Sequence, residues 1–365
     1  MFEDGTPILI EGAPDLMKIT TSIIIPDKER MQIELVSSSY QDYHNVDISP
    51  SKGNLYRDID PATVVLKHGE IYQKDAFFPG ELAELRTPHI VRDFRGQTAV
   101  IYPFQYNPIQ KILRVYNDIT LKISVKDNHG VNTINRSELP SSITKDFDWI
   151  YDQHFTNYSV MKSAILYNPI SEQGDMLIVY HQDFWSSIQP FIKWKKMKGI
   201  DVKTEDVSNI GAAGAIKTYI ENEYNNNPSL VYVLLVGDHG YVPSSSTSAG
   251  DSDNNYAYIV GSDHYPDLFM GRFSAETEDE AKTMVYRTIE YEKHPDSADD
   301  WARIGVGIGS EDGTSSNDPN NPPTGMGDDG EADWHHNMNI KADLLGFTYT
   351  DVFEFYEGGT YSGSI

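Results

Sequence analysis

The sequence predicts two units of unlike class in tandem: a β-rich N-terminal unit, a sandwich or barrel, and behind it an α/β domain with a mainly parallel sheet. Three observations predict this. Up to residue 126 the chain holds short runs rich in Val, Ile, Thr and aromatics, broken by Pro, Gly and Asn. From residue 167 solid apolar runs alternate with segments of helical spacing, as in sheets covered by helices on both faces. The charge also shifts. Residues 1–165 carry 17 Lys and Arg against 22 Asp and Glu, and residues 166–365 carry 12 against 33, a boundary signal independent of any motif. The 365 residues divide accordingly into a β-rich unit (1–126), a connector (127–166) and an α/β unit (167–365), in keeping with roughly 150 residues per domain.

In the first unit the predicted strands are residues 20–26, 31–37, 62–67, 88–94, 97–106 and 111–125, with Asn107-Pro108 at the turn between the last two. Residues 111–125 alternate most clearly, Ile112, Arg114 and Tyr116 against Leu113 and Val115. The connector begins polar and then carries Trp149, Tyr151, Phe155 and Tyr158, so it packs against something. In the α/β unit, residues 176–180 and 230–236 are uninterrupted apolar runs that suit buried parallel strands. Residues 184–197 form a helix that ends in Lys195, Lys196 and Lys198 before Gly199, a favourable C-terminus. Residues 200–204, 257–260, 268–273, 304–308 and 348–355 read as further strands, and 212–224, 277–293 and 331–345 as helices.

The composition excludes several function classes. A net charge of −26 repels phosphate backbones and anionic lipid, which argues against nucleic-acid and membrane-surface partners. With no cysteine there is no disulfide, Cys-ligated zinc, iron–sulfur cluster or thiol nucleophile among these residues. No apolar run is long enough for a membrane span. The start, Met-Phe-Glu-Asp-Gly, is not a signal peptide, so either the protein is cytosolic or a signal precedes this chain.

Candidate chemistry sits where strands end. The run 230–236 leads into Gly237-Asp238-His239-Gly240. Asp238 either caps this turn or serves as a ligand or catalytic carboxylate at a strand's carboxyl end. Asp263 and Asp267 lie four apart on a Gly/Pro-kinked loop with carbonyls between them, which is either a solvated acidic loop or an oxygen set for calcium. The run 304–308 leads to a second strand-end carboxylate, Glu311. Asp333 opens a helix, where the macrodipole alone would favour it. His335 and His336 are adjacent and do not share a metal comfortably on one helix face.

Three stretches, VYVLLVGDHGYVP (231–243), YIVGSDHYPDLFMGRFS (258–274) and TMVYRTIEYEKHP (283–295), resemble the gingipain family of secreted cysteine endopeptidases. The first half is similar to the pro-domain of that family through KDAFFPGE (74–81), VRDF (91–94), YPFQYNP (102–108) and LRVYNDITLKI (113–123). The resemblance covers nearly the whole chain. It implies a β-rich pro-domain acting as inhibitor and folding aid, followed by the N-terminal part of a caspase-like α/β catalytic domain beginning near Tyr167. It implies cleavage after basic residues, hence peptide or protein substrates with Arg or Lys, a contact between pro-domain and catalytic domain, and a secreted or cell-surface location. Residue by residue, Asp238, Asp263 and Asp267 with the carbonyls of Val260 and Tyr265 match a structural calcium site. Glu311 matches the acid that orients the catalytic His. Asp333 matches the floor of the primary specificity pocket in Arg-cleaving members, where a carboxylate pairs with a guanidinium.

The departure from the family is the catalytic pair itself. Its Cys and the His of a Gly-His-Gly are not found in these residues, so the sheet is expected to be incomplete, the pair to lie beyond Ile365, and this chain alone to be inactive. No Lys or Arg directly precedes Tyr167, which leaves Lys162 or Arg136 as processing positions. Two readings follow: a fragment of a cysteine endopeptidase zymogen, or a non-catalytic, calcium-stabilised secreted module for binding or assembly.

Overall fold

The computed structural model describes residues 5–55, 59, 63–137, 139–140, 143–164, 173–248, 250–294, 300–309 and 333–356. The N-terminal unit contains β1 (Thr6–Pro7), β2 (Met17–Ile24), β3 (Arg30–His44), β4 (Ala83–Leu85), β5 (His89–Val91), β6 (Phe94–Ile101), β7 (Phe104–Asn107) and β8 (Ile112–Asp127). They form two antiparallel sheets. In one, β6 lies between β2 and the short strands β4 and β5, with β1 outside β2. The other has the order β3-β8-β7. Neither closes into a barrel among the described residues. The β3–β8 ribbon is long and largely exposed, and its register shifts near Met31, Val36 and Tyr40.

Three sequence expectations change here. Residues 97–106 are two strands, because Pro103 has no N–H to continue the ladder. Residues 88–94 are a hairpin, β5 and β6 joined by the two-residue turn Arg92-Asp93. Residues 63–67 form no strand. The connector does pack, with the exception of Trp149, which is 68% exposed. Helices α1 (Lys145–His154) and α2 (Tyr158–Ala164) bring Phe147, Tyr151, Phe155 and Tyr158 into one core with Ile24, Val91, Phe94 and Val231. Val231 belongs to the α/β unit, so this core joins the two halves of the chain.

The α/β unit runs β9 (Asp175–Tyr180), α3 (Trp185–Met197), β10 (Val202–Asp206), α4 (Val207–Ile210), α5 (Ala213–Asn226), β11 (Leu230–Val236), a small hairpin of β12 (Ser245–Thr247) and β13 (Gly250–Ser252), β14 (Phe269–Phe273) and α6 (Glu278–Lys293). It continues with β15 (Ile304–Gly309), α7 (Asp333–Phe347) and β16 (Asp351–Tyr356). The main sheet is parallel throughout, in the order β10-β9-β11-β14. Met176, Ile178, Leu234 and Val236 face Ile188, Phe191, Val285 and Ile289 of α3 and α6. Leu177, Val179, Val233 and Leu235 face Ile216 and Ile220 of α5. Both faces are covered, which is why β9 and β11 are apolar at nearly every position. β15 and β16 pair in parallel with each other and, among the described residues, not with the main sheet.

Residues 257–260 form no strand. The N–H groups of Ile259 and Val260, which a ladder would use, both donate to the Asp267 carboxylate at 2.7 Å. Helix α6 begins with a capping box, Thr277 and Glu280 each accepting from the other's backbone N–H. It is tied to α3 by Glu292, which accepts from Lys195 Nζ (2.6 Å), Lys198 Nζ (2.9 Å) and Trp194 Nε1 (2.8 Å). Burial pushes this carboxyl up, but the three donors outweigh it and hold it at about 2. A depressed acid stabilises the fold above its unfolded value of 4.5 and loses that contribution as pH falls toward 2. Glu292→Gln should therefore cost about 1–2 kcal/mol at neutral pH, discounted for partial solvent contact. The gap to wild type in urea melts should shrink below pH 4.5. A gap that stays constant down to pH 3 would contradict this.

Candidate functional site

From β9 the chain moves to β10 on one side, and later to β11 on the other. Such a reversal opens a crevice at the carboxyl ends of the two central strands, the usual ligand position in open α/β sheets. His181 follows β9 and donates its N–H to Val236 O at 3.2 Å. The turn after β11 places Asp238 and His239 beside it. Gly237 makes this turn possible: its φ is +123°, and a Cβ there would lie 2.8 Å from that of Tyr241. The Tyr241 ring stands edge-on to both His181 (4.9 Å) and Phe184 (5.0 Å).

The Asp238 carboxylate accepts from the Ser274 hydroxyl, and its N–H donates to Ala275 O at 2.9 Å. Ser274 and the His239 N–H hold the carboxyl below its ordinary range, so a fixed negative charge stands at the crevice at neutral pH. Behind it, Arg272 of β14 binds Asp253 through two 2.7 Å bonds and donates to Gly237 O (2.7 Å), Val242 O (2.8 Å) and Ser244 Oγ (3.1 Å). Arg272 thereby fixes the loop that carries Asp238. The sequence reading gave Arg272 and Asp253 no role, although a lone Arg in an otherwise apolar strand was a visible sign.

Glu311 lies outside the described residues. Asp333 is the first residue of α7, which begins against the end of β15. A Cβ on Gly309 would lie 2.7 Å from Trp334 Cα, and Asn337 Nδ2 donates to Ile308 O at 2.9 Å. The start of α7 is thus seated at the carboxyl end of β15, the strand whose following residues include Glu311.

The five residues matched to calcium are not gathered. β14 runs parallel to β11, with Tyr232 opposite Phe269 and Val236 opposite Phe273. The loop entering β14, with Val260, Asp263, Tyr265 and Asp267, therefore lies at the amino edge of the sheet, and Asp238 at the carboxyl edge. Asp267, with no solvent exposure, accepts from Ile259 N, Val260 N and Arg92 N. Burial pushes this carboxyl up to about 6 against those three donors. Asp263 accepts from Ile90 N (2.7 Å), Asn132 Nδ2 (2.6 Å) and Tyr265 N (2.9 Å). Among the described residues no three His, Asp or Glu side chains come together as a cation cage.

These two carboxylates instead grip the β5–β6 hairpin of the N-terminal unit. Beside them His89 and His154 meet with their Nε2 atoms 3.0 Å apart, and the His89 ring stacks on Tyr265 at 4.5 Å. Burial, with His154 adding to it, pushes His89 down to about 4, so the pair is neutral at ordinary pH. Among the described residues no helix is long and apolar enough to cross a membrane.

A family model for peptidase family C25 matches residues 170–361, and one for the C25 propeptide matches residues 1–165. Gingipain R2 of Porphyromonas gingivalis (strain ATCC BAA-308 / W83) is 36% identical over 365 residues, which is 98% of this chain and 47% of that protein. Gingipain R1 of Porphyromonas gingivalis is 35% identical over 364 residues, 98% of this chain and 35% of that protein. A solved complex of Porphyromonas gingivalis RgpB pro- and mature domains is 36% identical, covering 44% of this chain and 79% of that one, with a TM-score of 0.40. The chain spans about half or less of the length of these curated relatives. The propeptide match runs through nearly all of the connector and the peptidase match begins just after it, and the chain belongs to peptidase family C25, with the propeptide of that family as its N-terminal half.

Proposed function

We propose that this chain is part of the proform of a secreted, gingipain-like cysteine endopeptidase that hydrolyses peptide bonds after basic residues, held latent by its propeptide. The observation that carries this reading is the shared core. Phe147, Tyr151 and Phe155 of the propeptide pack with Val231 near the start of the central strand β11, so the propeptide is docked on the amino edge of the peptidase sheet instead of trailing from it, which supports a proform in which the two units are held together. In this reading Glu311 orients an imidazole, and Asp333, at the start of α7, receives the guanidinium of the residue before the cut bond. The excess of acidic residues in the second half, 33 against 12, supports attraction of cationic peptides.

The 365 residues contain no cysteine, and we expect no thiol-dependent cleavage of Arg or Lys peptide amides by this chain alone. In a longer form that carries the thiol, Asp333→Asn should lower kcat/KM for Arg substrates by about 100-fold, the loss of a buried charge-assisted pair. Equal Arg cleavage by wild type and variant would remove Asp333 from the specificity pocket.

The oxygens of Asp263 and Asp267 already accept N–H groups and Asp238 lies at the other edge, which supports a fold that does not depend on calcium at these positions. We expect thermal melting to be unchanged by a chelator. A fall in Tm on chelation would show that the ion draws this loop into another arrangement.

A further inference from the structure

We propose that the amino-terminal edge of the peptidase sheet carries a guanidinium receptor, filled here by Arg92, and that this socket anchors the propeptide hairpin on the peptidase unit. Arg92 is the first of the two residues in the β5–β6 turn, with φ +46°. Two-residue hairpins favour Gly or Asn at such a position, because a β-carbon is strained there. An arginine in that conformation has to be held by its surroundings.

The surroundings do hold it. The Arg92 side chain is 4% exposed. Its Nη1 donates to Leu230 O (2.8 Å) and Asp267 O (2.9 Å), and its Nη2 to Pro228 O (2.6 Å). The guanidinium lies 4.8 Å from the Phe147 ring and 5.0 Å from the Tyr224 ring. Its backbone N–H donates to Asp267 Oδ1 at 3.0 Å. Asp93, the other turn residue, stands 3.8 Å from Nε and is fixed by the Tyr151 hydroxyl at 2.7 Å.

Carbonyls placed for a planar fork, with rings beside it, suit a guanidinium and not an ammonium, which is a compact and strongly hydrated point charge. Pro228, Leu230, Asp267 and Tyr224 belong to the peptidase unit, whereas the Phe147 ring and the Asp93 carboxylate come from the propeptide. The three accepting carbonyls and one of the two rings therefore stay with the peptidase when the hairpin is withdrawn. Carbonyls left without a donor in so enclosed a place are costly, which favours refilling by another guanidinium. The socket lies at the sheet edge opposite the Asp238 crevice, so it is separate from the cleavage region. The proposal deepens the zymogen reading but needs only the propeptide–peptidase contact, not cleavage after basic residues.

The test uses the whole chain and a readout without catalysis. Amide hydrogen exchange is followed at Ile90, Ile259 and Val260 in wild type, Arg92→Ala and Arg92→Lys. We expect exchange to quicken about tenfold or more in both variants, as local opening requires. N-ethylguanidinium should restore protection to Arg92→Ala, and ethylammonium at the same ionic strength should not. Wild-type protection in Arg92→Lys, or equal rescue by the two cations, would overturn the proposal. Should Arg92→Ala not fold, Arg92→Lys, which keeps stem and charge, decides alone. A cleavage assay that found no preference for basic residues would leave this result untouched.

Discussion

Arg95→Leu is expected to lower the stability of the propeptide half by about 3–5 kcal/mol. Arg95 has no solvent exposure. Its guanidinium donates to Pro26 O (2.7 Å), Glu29 O (2.8 Å), Val131 O (2.8 Å) and Asn132 O (2.8 Å). These carbonyls come from two distant segments, 26–29 and 131–132, which meet beside the β5–β6 hairpin. Leucine fills part of the volume but offers no donor, and buried carbonyls without donors each cost about 1–3 kcal/mol unless water reaches them. Urea unfolding followed by a probe in the N-terminal half should show the loss. A midpoint within about 0.5 kcal/mol of wild type, the range of an ordinary surface change, would mean that water replaces the guanidinium.

The second large effect is expected for Asp267→Asn, about 2–4 kcal/mol. One oxygen of Asp267 serves Arg92 N and the other serves Ile259 N and Val260 N. The amide puts an N–H₂ group against at least one of those donors, and the charge that strengthens all three bonds disappears. Residues 257–260 and the tip of the hairpin should loosen together, because a single side chain ties both. Thermal melting and proteolysis in the 257–268 loop measure this. An unchanged Tm with an unchanged cleavage rate would show that neither segment depends on the carboxylate.

Much of the fold was legible because local pattern and tertiary setting agree. Residues 176–180 and 230–236 are apolar at nearly every position, and the sheet buries both of their faces. Residues 111–125 alternate, and they lie in an antiparallel ribbon. The misreading of 97–106 has a local cause, Pro103, whereas two others come from tertiary partners. Residues 257–260 look like a strand, but Asp267 takes the N–H groups that strand pairing would need. Residues 88–94 look continuous because Arg92-Asp93 lacks the Gly or Asn that advertises a tight turn, the arginine being held from the other half of the chain.

For the site, Asp238 at the end of β11 could be read from one apolar run meeting Gly-Asp. Its grouping with Asp263 and Asp267 could not be checked before the topology was known. Once β14 is parallel to β11, the residues before β14 and those after β11 fall at opposite edges of the sheet. For Arg272 only its place as a lone charge in an apolar strand is legible, because its partners, Asp253 and three loop groups, adjoin it only in space.

The β3–β8 ribbon has a further consequence. β3 is an edge strand of 15 residues, with Leu35, Val36, Tyr40 and Tyr43 between 47% and 61% exposed. A flat strand of that length and character would invite another molecule to pair with it and would seed polymers. The register breaks near Met31, Val36 and Tyr40 bend and twist the ribbon, so its rim is not the flat template that pairing requires. A ribbon so interrupted is a poorer seed for polymers than a straight strand with an equally large apolar margin.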